Sequence, residues 1–161
     1  MTDDDFDALW GNLVERAHRP GGTPMTENER HFYAVNLLRG SVPRSGFIGY
    51  FENWTIAEIL AAHEGLRLLN LDGARVLLER AQEVALDGRS LPEEAASLIS
   101  VSHSLSEKEY ERESDRIEAA LSPFEDAFCE LDDEILAALC EFATRHNLKS
   151  KGEQGSDGNP N

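Results

Sequence analysis

Several serines and threonines of this chain are followed three residues later by a glutamate, and four of these pairs are interpreted as capping boxes at the start of a helix. In such a capping box, the hydroxyl and the glutamate each bind a backbone N–H group at the start of an α-helix. The boxes begin at Thr26, Thr55, Ser106 and Ser122. No window of alternating β-branched residues predicts a strand. The sequence therefore predicts an all-α fold.

Apolar residues at helical spacing place the expected helices. A first helix is predicted over residues 3–17. The helix that begins at Thr26 is expected to end at Gly40, because glycine commonly follows the last helical residue. A loop and a short helix should then lead to Trp54. The next helix is expected to pack as a hairpin against a helix over residues 74–88. Its inward face would carry Ile56, Ile59, Leu60, His63 and Leu66.

The last helical region is predicted to begin at Ser122, with Pro123 at the favoured first helical position. It is expected to break at Asp132, which would cap a new helix. Glycine, serine, asparagine and proline dominate residues 150–161, and this composition predicts a disordered tail. Because 161 residues suit one domain with a real core, we predict a single compact multi-helix domain over residues 1–149 with short connecting loops.

The chain is strongly acidic, with 31 acids against 15 bases and a formal net charge of −16. Direct binding to nucleic acid is excluded on this basis, because a phosphate backbone would be repelled. An anionic membrane surface is disfavoured for the same reason. A basic protein partner is permitted, although acidity can also serve solubility alone. The acidic N-terminus is unlike a secretory signal and no apolar run is long enough for a membrane span, so we expect a cytoplasmic protein.

The acids are concentrated in residues 107–141, which hold 13 acids against three bases, a net charge of −10. On helices, four of these acids share one edge, and five more share a face without a base. The two sets are Glu107, Glu111, Asp115 and Glu118, and Asp126, Glu130, Asp133, Glu134 and Glu141. We interpret these residues as a candidate partner-binding surface.

The spacing of these carboxylates permits an imitation of DNA. Residues four apart on a helix are separated by about 6 Å along its axis. A DNA strand presents a phosphate about every 3.4 Å of axis. Rows of carboxylates on two adjacent helices would therefore resemble a phosphate backbone in charge. The alternative interpretation is a solvated face with local ion pairs between residues three or four apart.

No catalytic or metal-binding motif is present in the sequence. His63-Glu64 matches the start of a zinc-binding His-Glu-x-x-His helix, but Arg67 occupies the position of the second histidine. His63 is therefore interpreted as a core histidine with a hydrogen-bond partner. Neither a phosphate-binding glycine loop nor a nucleophile elbow occurs. The sequence predicts a protein that is not an enzyme and that has no cofactor and no metal.

The two cysteines match no metal-binding spacing. Cys129 and Cys140 are eleven residues apart. On one continuous helix they would lie about 16 Å apart, too far for a disulfide. We predict two buried structural thiols.

A glycine-punctuated, aromatic segment runs from Gly46 to Asn53 and reads Gly-Phe-Ile-Gly-Tyr-Phe-Glu-Asn. Further matching residues are Val35, Leu38, Gly73, Ala74, Leu77, Leu78, Ala81, Phe128, 131–136, Phe142 and His146. On these residues the chain resembles a bacterial family of unknown function that includes the DNA-mimic-protein-nineteen-like proteins. The resemblance covers about residues 29–148.

This chain departs from its relatives at one loop. Relatives usually carry Asn-Gly-Gly before the first phenylalanine of the segment, whereas this chain has Arg44-Ser45-Gly46 preceded by Pro43. The loop is therefore expected to differ. The aromatic residues of the segment are expected to pack in the core, and Asn53 to cap the next helix.

The resemblance implies an all-helical fold and a possible function. The DNA-mimic member of the family is dimeric and occupies the DNA-binding surface of a helix-turn-helix transcription factor. By this resemblance the chain would be an acidic, dimeric DNA mimic that binds a basic DNA-binding protein. Two alternatives remain open: an immunity or antitoxin protein that neutralises a basic toxin, and a helical domain with a structural role.

Overall fold

The computed structural model describes residues 1–19, 21, 23–85 and 107–148, and this part holds six α-helices and no strand. The helices are α1 (Asp3–His18), α2 (Glu27–Asn53), α3 (Ile56–Leu68), α4 (Asp72–Ala85), α5 (Glu107–Cys129) and α6 (Asp132–Arg145). Within α5, the side chains of residues 107–111, 113 and 114 lie outside the description. The all-α prediction is confirmed. No helix in the described part is long and apolar enough to cross a membrane.

Several predictions fall on residues outside this part of the chain. They are the capping box at Ser106, the end of the fourth helix near Gly88 and the disordered tail at residues 150–161.

The long helix α2 lies at the centre of the fold. It packs against α1, α3, α5 and α6, while α4 packs against α3 and α5. Residues 31–38 of α2 are all buried, although consecutive helical residues point in different directions. Neighbouring helices therefore cover this part of α2 on every side. Phe32, Val35 and Leu38 are each 0% exposed and form part of this core.

Capping boxes begin α2 and α3 as the sequence predicts. Thr26 Oγ1 accepts a hydrogen bond from the N–H of Glu29 at 3.3 Å, and the Glu29 carboxylate accepts one from the N–H of Thr26 at 2.7 Å. Thr55 and Glu58 form the same reciprocal pair at the start of α3. A further capping box begins α1 at Thr2. At both predicted positions, the glutamate side chain folds back onto the start of its own helix.

Two predicted helix boundaries are wrong. The first is Gly40, because α2 continues through Gly40 and Pro43 and changes direction only at Gly46. The second is Ser122, because α5 runs without interruption through Pro123 to Cys129. A box at Ser122 would require the Glu125 carboxylate to bind a backbone N–H of its own helix. That carboxylate instead binds the backbone of α2.

Some predicted side-chain positions are also wrong. Leu60 is 52% exposed because it lies on the outer face of α3, whereas Ile59 and Leu66 on the inner face are fully buried. Cys129 is exposed and Cys140 is half-buried, and both are free thiols. Asn53 does not cap α3, because its side-chain amide donates to the carbonyl of Gly49 in α2 at 2.7 Å.

Two other predictions are confirmed in their main point. The helix break at Asp132 is present, but Leu131 occupies the capping position and makes no side-chain cap, so Asp132 is not the cap. His63 is half-buried with a partner, since its Nε2 lies 2.9 Å from Oε1 of Gln82. This contact joins α3 to α4.

Candidate protein-binding surface

The path of α2 depends on Gly46. Its φ of +67° and ψ of −179° lie in a region that essentially only glycine adopts. The residue divides α2 into a longer segment up to residue 45 and a short one over residues 47–53. The short segment begins with backbone N–H groups that have no helical acceptor. The first of them, the N–H of Phe47, donates to Oε1 of Glu125 in α5 at 2.8 Å.

The same two helices also pack through aromatic rings. Phe47 and Phe128 have ring centroids 5.5 Å apart in an edge-to-face arrangement, which is a favourable geometry for aromatic pairs. Phe128 follows Glu125 by three residues, so both lie on the face of α5 that meets α2. Phe51 stacks behind Phe47 at 6.1 Å. We call Gly46, Phe47 and Glu125 the Gly46 junction.

The Gly46 junction leaves no room for a side chain at position 46. A Cβ atom built on Gly46 would lie 2.5 Å from Oε1 of Glu125 and 3.1 Å from its Cδ. The glycine is therefore required twice, once for its backbone conformation and once for the approach of the carboxylate. Along the short segment, Tyr50 packs against Phe51 and Asn53 donates to the carbonyl of Gly49. The aromatic segment over residues 46–53 therefore builds the fold.

Other positions along α5 carry exposed acids. Asp115, Glu118 and Asp126 are exposed, while Leu121 and Phe128 are buried against the rest of the fold. At helical spacing the three acids form one stripe, which extends about 16 Å from Asp115 to Asp126. The side chains of the two other predicted members of this stripe, Glu107 and Glu111, lie outside the described residues.

The acids continue across a turn into α6. Glu130 in the turn and Asp133, Glu134 and Glu141 in α6 are exposed, while Ile135 on the other face of α6 is buried. Both α5 and α6 pack against α2 but not along each other. The acids of the two helices are therefore joined end to end through the turn, and do not form the side-by-side rows that the sequence suggested.

Two acids in this region are held by arginines. Glu141 pairs with Arg145 one turn later on α6 at 2.5 Å, which corrects the prediction that its face lacks a base. Asp132 forms a two-point ion pair with Arg39 of α2, with Nε 2.7 Å from Oδ1 and Nη2 donating to Oδ2 at 3.0 Å. This second pair ties the start of α6 to the central helix.

Six predicted site residues have no such partner. In the part of the chain that the structure describes, no cationic side chain lies within ion-pair distance of them. They are Asp115, Glu118, Asp126, Glu130, Asp133 and Glu134. We call these six residues the acidic surface. Their charges are exposed and have no cationic partner among the described side chains, so they are available to a cationic protein.

The thiol of Cys129 lies inside this negative field. Partial burial raises the pKa of the thiol, and the charges of Asp126, Glu125 and Asp132 raise it further. The thiol therefore stays protonated at neutral pH and is a poor nucleophile. Among the described residues, no group of three or more histidines, cysteines and acids is placed to hold a metal ion.

Comparison with known proteins identifies one related family. The family model described as DMP19-like protein matches residues 23–148, which cover most of the chain and include all of α2 to α6. Neither the curated proteins nor the solved structures gave a significant match. The matched region holds the Gly46 junction and the whole acidic surface. The chain therefore belongs to the family of DMP19-like proteins.

Proposed function

We propose that this protein binds a basic protein through its acidic surface and, as a DNA mimic, occupies the surface with which that partner binds DNA. The observation that carries the proposal is the set of six exposed carboxylates without a cationic partner in the described residues. By sequence, Glu107 and Glu111 would extend the stripe on α5. Glu141 contributes less, because Arg145 compensates its charge.

Charge complementarity is the proposed mechanism. A DNA-binding surface presents lysines and arginines where phosphates dock. Exposed carboxylates attract such a surface over about 8 Å at physiological salt and accelerate encounter with it. The same charges repel nucleic acid itself, so the proposed role is binding to protein and not to DNA. Membership of the DMP19-like family supports this role. We propose that the protein is not an enzyme.

A competition assay would test the proposal. Purified helix-turn-helix proteins would each be loaded with a fluorescent operator duplex, and this protein would be added while fluorescence anisotropy is followed. We expect at least one duplex to be released. Release should weaken steeply between about 50 and about 200 mM salt, because several ionic contacts must form at once.

Matched charge variants would locate the site. The quadruple variant Asp126→Asn, Glu130→Gln, Asp133→Asn and Glu134→Gln should lose duplex release. A control with the same change in net charge is Asp3→Asn, Asp4→Asn, Asp7→Asn and Glu83→Gln, which alters exposed acids of α1 and α4. The control should retain release. Equal loss in both variants would mean that net charge alone matters and would contradict the site. Circular dichroism would confirm that both variants remain helical.

Other outcomes favour the remaining functions. A basic protein that binds the acidic surface without losing its DNA would favour the immunity or antitoxin function. Absence of binding to every DNA-binding protein tested would leave solubility as the reason for the acidity. Light scattering on the purified protein would test the dimer that the family resemblance implies.

A further inference from the structure

We propose that Glu125 is a positioning residue of the acidic surface: it fixes the rotation of α5 on α2 and does not itself contact the partner. Glu125 precedes Asp126 in the middle of the acidic region, so by sequence it would count as one more recognition charge. The structure assigns it a different role. The binding part of this inference rests on the proposed function, and its structural part does not.

The contacts of Glu125 point inward. Its side chain is half-buried, and Oε1 accepts the hydrogen bond from the N–H of Phe47 at 2.8 Å. A carboxylate at the start of a helical segment is favoured by both the free N–H groups and the helix dipole. Gly46 has no side chain that would clash with the Glu125 carboxylate at this position.

Rotation of α5 would displace the acids on its outer face. Side chains reach about 5 to 6 Å from a helix axis. A rotation of about 20° would therefore shift each carboxylate of the stripe by about 2 Å, enough to separate ion-paired atoms. On the other side of the turn, the pair between Asp132 and Arg39 holds α6 in the same way. Two acids thus hold the helices on α2, while the six of the acidic surface face outward.

Three single variants separate a positioning role from a recognition charge. Glu125→Gln removes the charge but keeps an oxygen that accepts the hydrogen bond from Phe47. Glu125→Ala removes both the charge and the acceptor. Asp126→Asn removes one charge from the neighbouring exposed position and leaves the Gly46 junction intact. The readouts are duplex release from the helix-turn-helix protein of the competition assay, hydrogen exchange of the Phe47 amide and the rotation of α5 about its own axis relative to α2 from residual dipolar couplings.

A positioning role predicts a distinct pattern. Glu125→Gln should bind within about twofold of the unaltered protein, with the Phe47 amide protected. Glu125→Ala should weaken binding about tenfold, as loss of a hydrogen bond to a charged group allows, and its Phe47 amide should exchange faster. Asp126→Asn should weaken binding while Phe47 stays protected. The rotation of α5 about its own axis should change only in Glu125→Ala.

Other patterns would overturn the inference. If Glu125→Gln weakens binding as much as Glu125→Ala, the residue is a recognition charge. If Glu125→Ala leaves the rotation of α5 about its axis and the exchange of Phe47 unchanged, Glu125 does not position the helix. Should Glu125→Ala fail to fold, comparison of Glu125→Gln with Asp126→Asn still decides. If no DNA-binding protein binds at all, the proposed function fails, while exchange and dipolar couplings still test the positioning of α5.

Discussion

Gly46 shows how far a single residue could be understood from sequence. The aromatic segment that follows it was expected to pack in the core, and Phe47, Tyr50 and Phe51 are each 0% exposed. The contact that accompanies the change of direction at Gly46 could not be predicted, because Glu125 lies far along the chain and reaches the backbone of Phe47 only in the fold. Gly40 offered the stronger local signal for a helix end, yet the packing of α2 overrides it.

Exchanging these two glycines for alanine should have opposite effects on stability. Gly46→Ala forces alanine into a backbone region that costs about 1 to 3 kcal/mol and displaces the Glu125 carboxylate, so we expect a loss of about 3 kcal/mol. Gly40→Ala has open space and helical geometry and should gain about 0.5 to 1 kcal/mol. Guanidinium unfolding measures both. Similar effects at the two positions would contradict the described junction. In a Glu125→Ala background, the loss at Gly46 should shrink but persist.

His31 predicts a pH dependence of stability. The ring is buried, its Nδ1 has no hydrogen-bond partner among the described residues, and burial lowers the pKa of the imidazole. Glu27 and Glu64 raise this pKa, while Arg30 and Arg67 lower it, and burial prevails. The unfolded chain therefore takes up a proton near pH 6.5 that the folded chain resists.

The free energy of unfolding should accordingly fall as pH decreases below about 6.5, by at most about 1.4 kcal/mol per pH unit for this group. Above that pH its contribution is constant. The variant His31→Gln should show a smaller slope between about pH 7 and about pH 5.5, measured by urea unfolding at each pH. An unchanged slope would show that the histidine does not titrate in this range.

Below about pH 4.5, protonation of Glu29 adds a separate loss, because hydrogen bonds from Arg16 and Thr26 outweigh burial and lower its pKa.

Among the helices, a capping box predicted a helix start correctly where its glutamate binds the backbone N–H of the capping residue. The boxes at Thr26 and Thr55 are complete within four residues, and both begin helices. The box at Ser122 has the same letters but fails, because the Glu125 carboxylate binds the N–H of Phe47 in α2. The prediction that Leu60 faces inward is also wrong. Helical spacing defines the apolar face only approximately, and the positions of neighbouring helices determine which residues at the edge of that face are buried.

Pro123 should weaken α5. Proline has no N–H to donate to the carbonyl of Ala119, and in a helix interior it costs about 3 kcal/mol. Its ring is exposed, so Pro123→Ala loses little packing. We expect a net gain of about 1 to 2 kcal/mol in the free energy of unfolding, after the greater freedom of the unfolded chain is included.

Pro24→Ala is the matched control for this change. Pro24 is exposed in the connection before α2. Its ring contributes to stability there by reducing the conformational entropy of the unfolded chain. This variant should lose about 0.4 to 1 kcal/mol. Denaturant unfolding of the two variants should therefore give opposite signs. A loss in Pro123→Ala would indicate that α5 depends on the local geometry that the proline imposes.

For the whole molecule, the sign and location of charge were readable from sequence and its arrangement was not. The pairing of Glu141 with Arg145 follows from their spacing of four residues on one helix and was therefore a local signal. The pair between Asp132 and Arg39 joins residues 93 positions apart and had no local signal. Nor did the sequence show that α5 and α6 diverge from their turn. The direction of each helix is fixed by contacts with α2 that only the fold brings together.

Salt should affect stability and partner binding in opposite directions. A net charge of −16 repels itself in the compact state, and added salt screens this repulsion. Between about 20 and about 300 mM sodium chloride we expect a gain of about 1 kcal/mol, which raises Tm by about 3 °C. Calorimetry measures the shift. Both quadruple charge variants should show a smaller gain, since both reduce net charge equally. A Tm that falls with salt would contradict net self-repulsion.

The Gly46 junction also constrains how relatives of this chain can diverge. Glycine at position 46 and an oxygen acceptor at position 125 serve the same contact, so we expect both residues to be retained during evolution. The exposed acids should be under weaker selection, because many arrangements of acids give the same total negative charge. Lineages that changed binding partner would then retain the glycine and the glutamate while their surface acids drifted.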